Sequence, residues 1–174
     1  MNRETLAKRI ADVALLRGEF TLRSGRKSNY YLDKYLFETQ PDILKALGDL
    51  FAQKVGPQVD RIAGAELGAV ALAGVTAMSA GKPFVIIRNQ KKDYGTSKLI
   101  EGKLQPGETV MIVEDVLTTG GQVLEAAKTL KDAGAKIDKI VAVIDRMEGA
   151  RSNIESAGYT FEALFTTKDL GVAQ

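Results

Sequence analysis

Cysteine and histidine are both absent from the 174 residues. Without Cys there is no disulfide framework, no thiolate nucleophile and no cysteine metal site. Without His there is no Ser-His-Asp triad, no His-bound zinc and no imidazole acid–base step. Catalysis must then use Lys, Arg, Asp, Glu, Tyr, hydroxyls, backbone amides or a hard metal held through oxygen. A large charge excess is missing too: 24 Lys and Arg against 22 Asp and Glu leave +2, unlike a non-specific nucleic-acid binder. Long apolar runs are also lacking. The longest uncharged stretch, 67–80, is short for a membrane span and contains Gly and Ser. Charges at Arg3, Glu4, Lys8 and Arg9 leave no signal-peptide core. The expectation is a soluble cytoplasmic protein with no membrane and no nucleic-acid partner. A single domain over 1–174 can bury roughly 70% of its unfolded surface.

Leu6, Ile10, Val13 and Leu16 recur at helical spacing behind Asn2, which predicts a helix over 3–17 ending before Gly18. Phe20 and Leu22, then 30–32, read as short strands around a turn at Ser24, Gly25 and Arg26. Pro41 opens a helix with Leu44, Leu47, Phe51 and Val55 on one face, closed by Gly56. Strands and helices then alternate: strands at 61–65, 84–87, 110–113, 137–144 and 159–165, helices at 68–80, 122–133 and 150–157. Apolar strands without period-two alternation, separated by helices, indicate an α/β fold: a buried parallel β-sheet flanked by helices on both faces. Ligands of such sheets bind beyond the carboxyl ends of the strands.

The sharpest feature is Val110-Met111-Ile112-Val113-Glu114-Asp115-Val116-Leu117-Thr118-Thr119-Gly120-Gly121-Gln122. An apolar strand ends in adjacent carboxylates, and a hydroxyl- and Gly-rich turn leads into a helix. The helix start offers unpaired amides and a positive dipole end, which suits a phosphate. Glu114 and Asp115 would repel that anion, so they suit hydroxyls or a metal. A sugar phosphate satisfies both halves at once. The glycines and threonines alone would equally fit an ordinary strand-turn-helix. No Gly-Lys-Ser or Gly-Lys-Thr follows a strand, and Gly64, Gly68 and Gly74 lack the dinucleotide spacing.

This string resembles the phosphoribosyl-diphosphate signature of type I phosphoribosyltransferases. The resemblance implies a parallel sheet flanked by helices with a small N-terminal hood, here in 18–36. It implies that Glu114 and Asp115 hold the ribose hydroxyls of 5-phosphoribosyl 1-diphosphate (PRPP). They would also shape a site for Mg2+, itself held mainly by substrate and water. Thr118, Thr119, Gly120, Gly121 and Gln122 would hold the 5′-phosphate.

The segment from Phe20 through Arg23, Ser24, Gly25, Ser28, Tyr30 and Tyr31 to Asp33 resembles the start of orotate phosphoribosyltransferases. It combines a cation, small hydroxyls and two aromatics beside a tight turn, a set suited to a planar anionic pyrimidine. A surface hairpin with one buried Tyr would carry the same residues. Ile144-Asp145-Arg146 ends the long strand, and the resemblance gives Arg146 the orotate carboxylate. It places Arg23, Tyr30, Tyr31 and Thr118 around the base as well.

The stretch 62–69 is a Gly-flanked strand-turn-helix similar to the family's diphosphate loop, whose backbone amides bind the leaving group; the resemblance places Glu66 and Leu67, where some relatives carry Tyr and Lys, at PRPP. The polar stretch 89–103 has only Leu99 and Ile100 as strongly apolar residues. It has little to bury against the entropy of ordering, so a mobile catalytic loop is expected there. The resemblance assigns Arg88, Lys91, Lys92 and Tyr94 to PRPP, with Lys92 assisting catalysis beside Glu114 and Asp115. It also implies a homodimer in which this loop acts on the neighbouring site. Tyr94 stands where many relatives have His. A phenol with a reference pKa of about 10 is the poorer acid near neutrality, so hydrogen bonding is its expected role. Two further readings of the same fold remain: a purine-base phosphoribosyltransferase and a PRPP-sensing regulator.

Overall fold

The structure is a computed structural model that describes residues 1–21, 25, 27–90 and 98–172. Asn2 accepts from the Thr5 amide at 2.8 Å and starts helix α1, Arg3–Ala14. The helix stops three residues short of the expected end at 17, because Leu15 is already extended and opens strand β1, Leu15–Thr21. Leu16 therefore sits opposite Tyr31 in a two-stranded antiparallel ribbon with β2, Lys27–Leu32. It does not extend the buried helix face. The ribbon thus begins before the expected hood boundary at 18.

Asp33 accepts from the Tyr35 amide at 3.1 Å and caps a short helix that the sequence pattern does not reveal, α2, Lys34–Glu38. Pro41 opens α3, Pro41–Ala52, whose Ile43, Leu47 and Phe51 are buried. A six-stranded sheet follows: β3 Arg61–Ala65, β4 Phe84–Ile87, β5 Ile100–Glu101, β6 Thr109–Leu117, β7 Lys136–Asp145 and β8 Phe161–Thr166. Its order is β5-β4-β3-β6-β7-β8. Every neighbouring pair is parallel except β4 with β5. β5 is a correction to the long loop expected over 89–103, because Ile100 pairs with Ile87 along the sheet edge. Helices α4 Ala69–Ala80, α5 Gly121–Asp132 and α6 Ala150–Ser156 connect the strands, and a 3-10 turn, Thr167–Leu170, follows β8.

The parallel sheet flanked by helices is the expected α/β class, and it separates two cores. Alternation along β6 sends Met111 and Val113 into one, with Ile10, Leu47, Phe51 and Leu72. Val110 and Ile112 enter the other, with Val123, Leu130 and Ile154. The parity then reverses: Val116 packs with the first core and Leu117 with the second. Between them lie Glu114 and Asp115. Strict alternation would send these two to opposite faces; the reversal is how both come to line one cleft.

From β3 the chain moves outward to β4 and β5, then returns to the other side of β3 for β6, β7 and β8. The crevice between β3 and β6 is therefore the topological switch point of an open sheet, where ligands bind. Among the described residues no helix is long and apolar enough to cross a membrane.

Phe37 of α2 is fully buried in the first core, so the hood is packed onto the sheet's helix layer. Phe37→Ala should lower the unfolding free energy by about 3–5 kcal/mol, the usual range for deleting a buried aromatic ring. Urea unfolding reads it; a loss under about 1 kcal/mol would mean that α2 is not part of the core.

Candidate active site

β6 is longer than the expected 110–113 and runs on through the acidic pair, so the carboxylates lie within the central strand, not beyond its end. Both are buried. The Asp115 amide donates to Glu114 Oε1 at 3.1 Å, and the Val116 amide donates to Asp115 Oδ1. Lys34 Nζ donates to Asp115 Oδ2 at 2.6 Å. A third carboxyl group, Glu38, is buried nearby, and its Oε1 has no hydrogen-bond partner. Burial, and then the charge of Asp115, push the Glu114 carboxyl well above the ordinary carboxylate range. The same two causes push Glu38 up to about 8. Burial would lower the Lys34 pKa, but the charge and hydrogen bond of Asp115 outweigh it and raise it.

The pair forms the floor of a cleft of about 390 Å3. On the β3 side the wall is Ala65, Glu66 and Gly68. The Glu66 amide donates to the Ile87 carbonyl at 2.8 Å. It is therefore engaged in the sheet and is not free for an anion. Glu66 Oε1 accepts from the Asn89 amide at 2.9 Å, and Oε2 lies 3.6 Å from Arg88 Nη1. Leu67 is 70% exposed in the turn, and the Glu66–Leu67 peptide is cis. At Gly68 an added Cβ would overlap Asp115 Oδ2 and come within 2.7 Å of Lys34 Nζ, so a side chain there would displace the Asp115–Lys34 pair.

On the β6 side the floor rises into the turn at 118–122. Thr118 and Thr119 are exposed; their carbonyls accept from the Ala150 amide at 3.0 Å and from Asn153 Nδ2 at 2.9 Å. Gly120 caps α5 at φ 81°, a left-handed conformation natural to glycine. The turn is thus held from α6 by its carbonyls, which leaves the amide side of the helix start for an anion. Gln122 lines the cleft.

The hood meets the sheet at Arg146. Its amide donates to the Leu117 carbonyl at 2.9 Å. Its Nη2 donates to the Tyr30 hydroxyl at 3.2 Å, and its guanidinium carbon lies 5.5 Å from the centre of that ring. Glu148 pairs with the same guanidinium nitrogen at 3.0 Å. Arg146 Nε is buried without a partner. Tyr31 points the other way, packing on Phe20 at 5.7 Å between ring centres. Strand alternation is the reason: neighbours on β2 face opposite sides.

A sheet whose switch point joins buried carboxylates to an anion-ready turn defines a class of enzymes that handle phosphorylated sugars. Residues 37–164 match the sequence model of the Phosphoribosyl transferase domain. The orotate phosphoribosyltransferase of Methanocella arvoryzae is 47% identical over 153 residues, covering 88% of this chain and 87% of that one. That of Pyrococcus abyssi is 45% identical over 172 residues, covering 97% and 94%. Among solved structures, the orotate phosphoribosyltransferase of Mycobacterium tuberculosis bound to Fe(III) dicitrate superposes with TM-score 0.89 at 29% identity, covering 98% and 99%. The same enzyme bound to PRPP gives 0.84, also at 29% identity and the same coverage. The chain belongs to the phosphoribosyltransferase family, within its orotate phosphoribosyltransferase branch.

Of the residues expected to form the site, the structure gathers Glu114, Asp115, Glu66, Arg88 and Gln122 around the cleft. Tyr30 and Arg146 meet each other, whereas Tyr31 is not turned to Arg146. Arg23, Lys91, Lys92 and Tyr94 lie outside the described residues. Lys34, Glu38 and Glu148 escape the sequence reading. A lysine and a glutamate bracketing the apolar run Leu36-Phe37 were the available signal for the first two.

Glu38 yields a prediction. Its carboxyl keeps a proton up to about pH 8 in the folded chain, whereas the unfolded chain releases it near an ordinary value of about 4.3. The folded state therefore binds more protons between those limits. The group's stabilising contribution is full below the lower limit and is lost as pH rises through the upper one. Glu38→Gln stays neutral throughout, so its melting temperature should gain on the wild type as pH rises from about 4 to about 8. Parallel curves for the two proteins would contradict the burial argument.

Proposed function

We propose that this protein transfers the 5-phosphoribosyl group from PRPP to orotate, giving orotidine 5′-monophosphate and diphosphate, a step of pyrimidine biosynthesis. The single observation that carries the reading is the buried Glu114–Asp115 pair on β6, which shares its cleft at the switch point of the sheet with Gln122 at the end of the 118–122 turn. Ribose hydroxyls face the acids, and the 5′-phosphate faces the turn. Arg146, braced by the Tyr30 hydroxyl, offers a cation for the orotate carboxylate.

When the C1–O bond opens, positive charge develops on the ribose ring and negative charge on the diphosphate. The protein's task is to place the two substrates and to stabilise the leaving group. Arg88 at the cleft wall and Lys92 in the following loop supply positive charge. The acid pair holds the ribose so that C1 faces the ring nitrogen of orotate. Among the described residues no three acidic side chains converge as a metal cage. Mg2+ would accordingly sit near Glu114 and Asp115 with the donor's own oxygens and water as its main ligands, as suits a hard cation. When bound it neutralises the diphosphate. We also propose a cytoplasmic homodimer in which the segment between β4 and β5 serves the neighbouring site.

The direct test is the loss of orotate absorbance on adding PRPP and Mg2+, with adenine and hypoxanthine run alongside. Consumption of a purine base without orotate would favour the purine reading, and no diphosphate release with any base would favour a PRPP sensor. Lys92→Ala should slow turnover roughly 100- to 1000-fold, as the loss of one preorganised donor to a developing anion does; turnover close to wild type would remove Lys92 from the mechanism. Arg146→Ala should raise the KM for orotate and leave the KM for PRPP close to wild type. An unchanged orotate KM would end the carboxylate assignment.

A further inference from the structure

The turn after β3 presents an electrostatic gap. Its side chains are Glu66, which draws Arg88 towards itself, and Leu67, which is exposed. It brings no cation of its own to a leaving group that carries several negative charges. A cation does reach this place from the hood. Lys34 opens α2, and its ammonium donates to Asp115 at 2.6 Å. An added Gly68 Cβ would stand only 2.7 Å from Lys34 Nζ, so the ammonium lies against the Gly68 backbone at the start of α4. The side chain keeps 34% of its surface exposed, and it lines the same cleft as Glu66, Arg88 and Asp115. The helix that carries it is fixed by buried Phe37 and by the Asp33 cap. An ammonium has three donors, and the contact with Asp115 uses one.

We infer that Lys34 is a further donor-binding residue. Its ammonium, held in place by Asp115, is shared with the diphosphate of PRPP and supplies from the hood the positive charge that the turn after β3 lacks. This rests on the reading of the cleft as the PRPP site. The competing role is a purely structural ion pair that ties the hood to the sheet.

Calorimetric titration of inorganic diphosphate with Mg2+ into the wild type, Lys34→Gln and Lys34→Arg separates the two roles. Gln can still donate to Asp115 but carries no charge. Lys34→Gln should bind diphosphate about tenfold more weakly or worse, the scale of one hydrogen bond to a charged group. Its KM for PRPP should rise in parallel, with the KM for orotate little changed. Lys34→Arg should recover most of the loss. Diphosphate affinity and PRPP KM equal to wild type in Lys34→Gln would overturn the inference, whatever happens to the melting temperature.

A second measurement needs no variant: bound diphosphate should slow the acylation of Lys34 in the wild type, read by mass spectrometry against surface Lys128. Equal rates with and without diphosphate would overturn the inference as well. A wild type that turns over no orotate and binds no diphosphate would bring down the family activity first, and this inference with it.

Discussion

Two carboxylates buried side by side on the central strand are the constraint on which the rest of the site depends. Adjacent like charges removed from water cannot both ionise without compensation. The chain compensates in three ways. The Val116 amide and the Lys34 ammonium serve Asp115. The Asp115 amide serves Glu114, whose carboxyl is held towards its neutral form. Glu38 shifts the same way, first through its own burial and then through the charge of Asp115. Through Lys34 the segment after the β1–β2 ribbon is therefore electrically tied to the acid pair of the sheet.

The position of that edge follows from topology. Because β3 and β6 are neighbours while their connections leave in opposite directions, their carboxyl ends open a crevice. The parity reversal between Val113 and Val116 then turns both acids into it. Gly68 lets the acid and the lysine approach the backbone, and Gly120 turns the chain into α5 in a conformation that other residues adopt with strain. Each feature has little meaning alone. Together they make a cleft with two buried acids at the switch point and the start of α5 in its wall.

Much of this was legible in the sequence. The alternation of apolar strands with helices implied the parallel sheet, and the Val110–Gln122 string implied the acid floor and its turn, because each rests on local patterning. What escaped depends on contacts distant in the chain. Leu16 continues a helical spacing, yet pairing with Tyr31 takes it into a ribbon. Ile100 and Glu101 join a sheet edge that only the folded β4 provides. α2 is five residues long, too short to display a period. Lys34 reaches Asp115 across 81 residues of chain, and the engagement of the Glu66 amide by Ile87 is visible only once β3 and β4 are paired.

In the proposed reaction Glu114 and Asp115 hold the hydroxyls of a phosphorylated ribose while the 118–122 turn holds its phosphate. A crystal structure of the protein with ribose 5-phosphate tests it most directly. The account predicts phosphate oxygens within hydrogen-bond distance of the amides at 118–122 and the ribose hydroxyls on the two carboxylates. A sugar phosphate bound elsewhere, or the crevice closed by packed side chains, would contradict it.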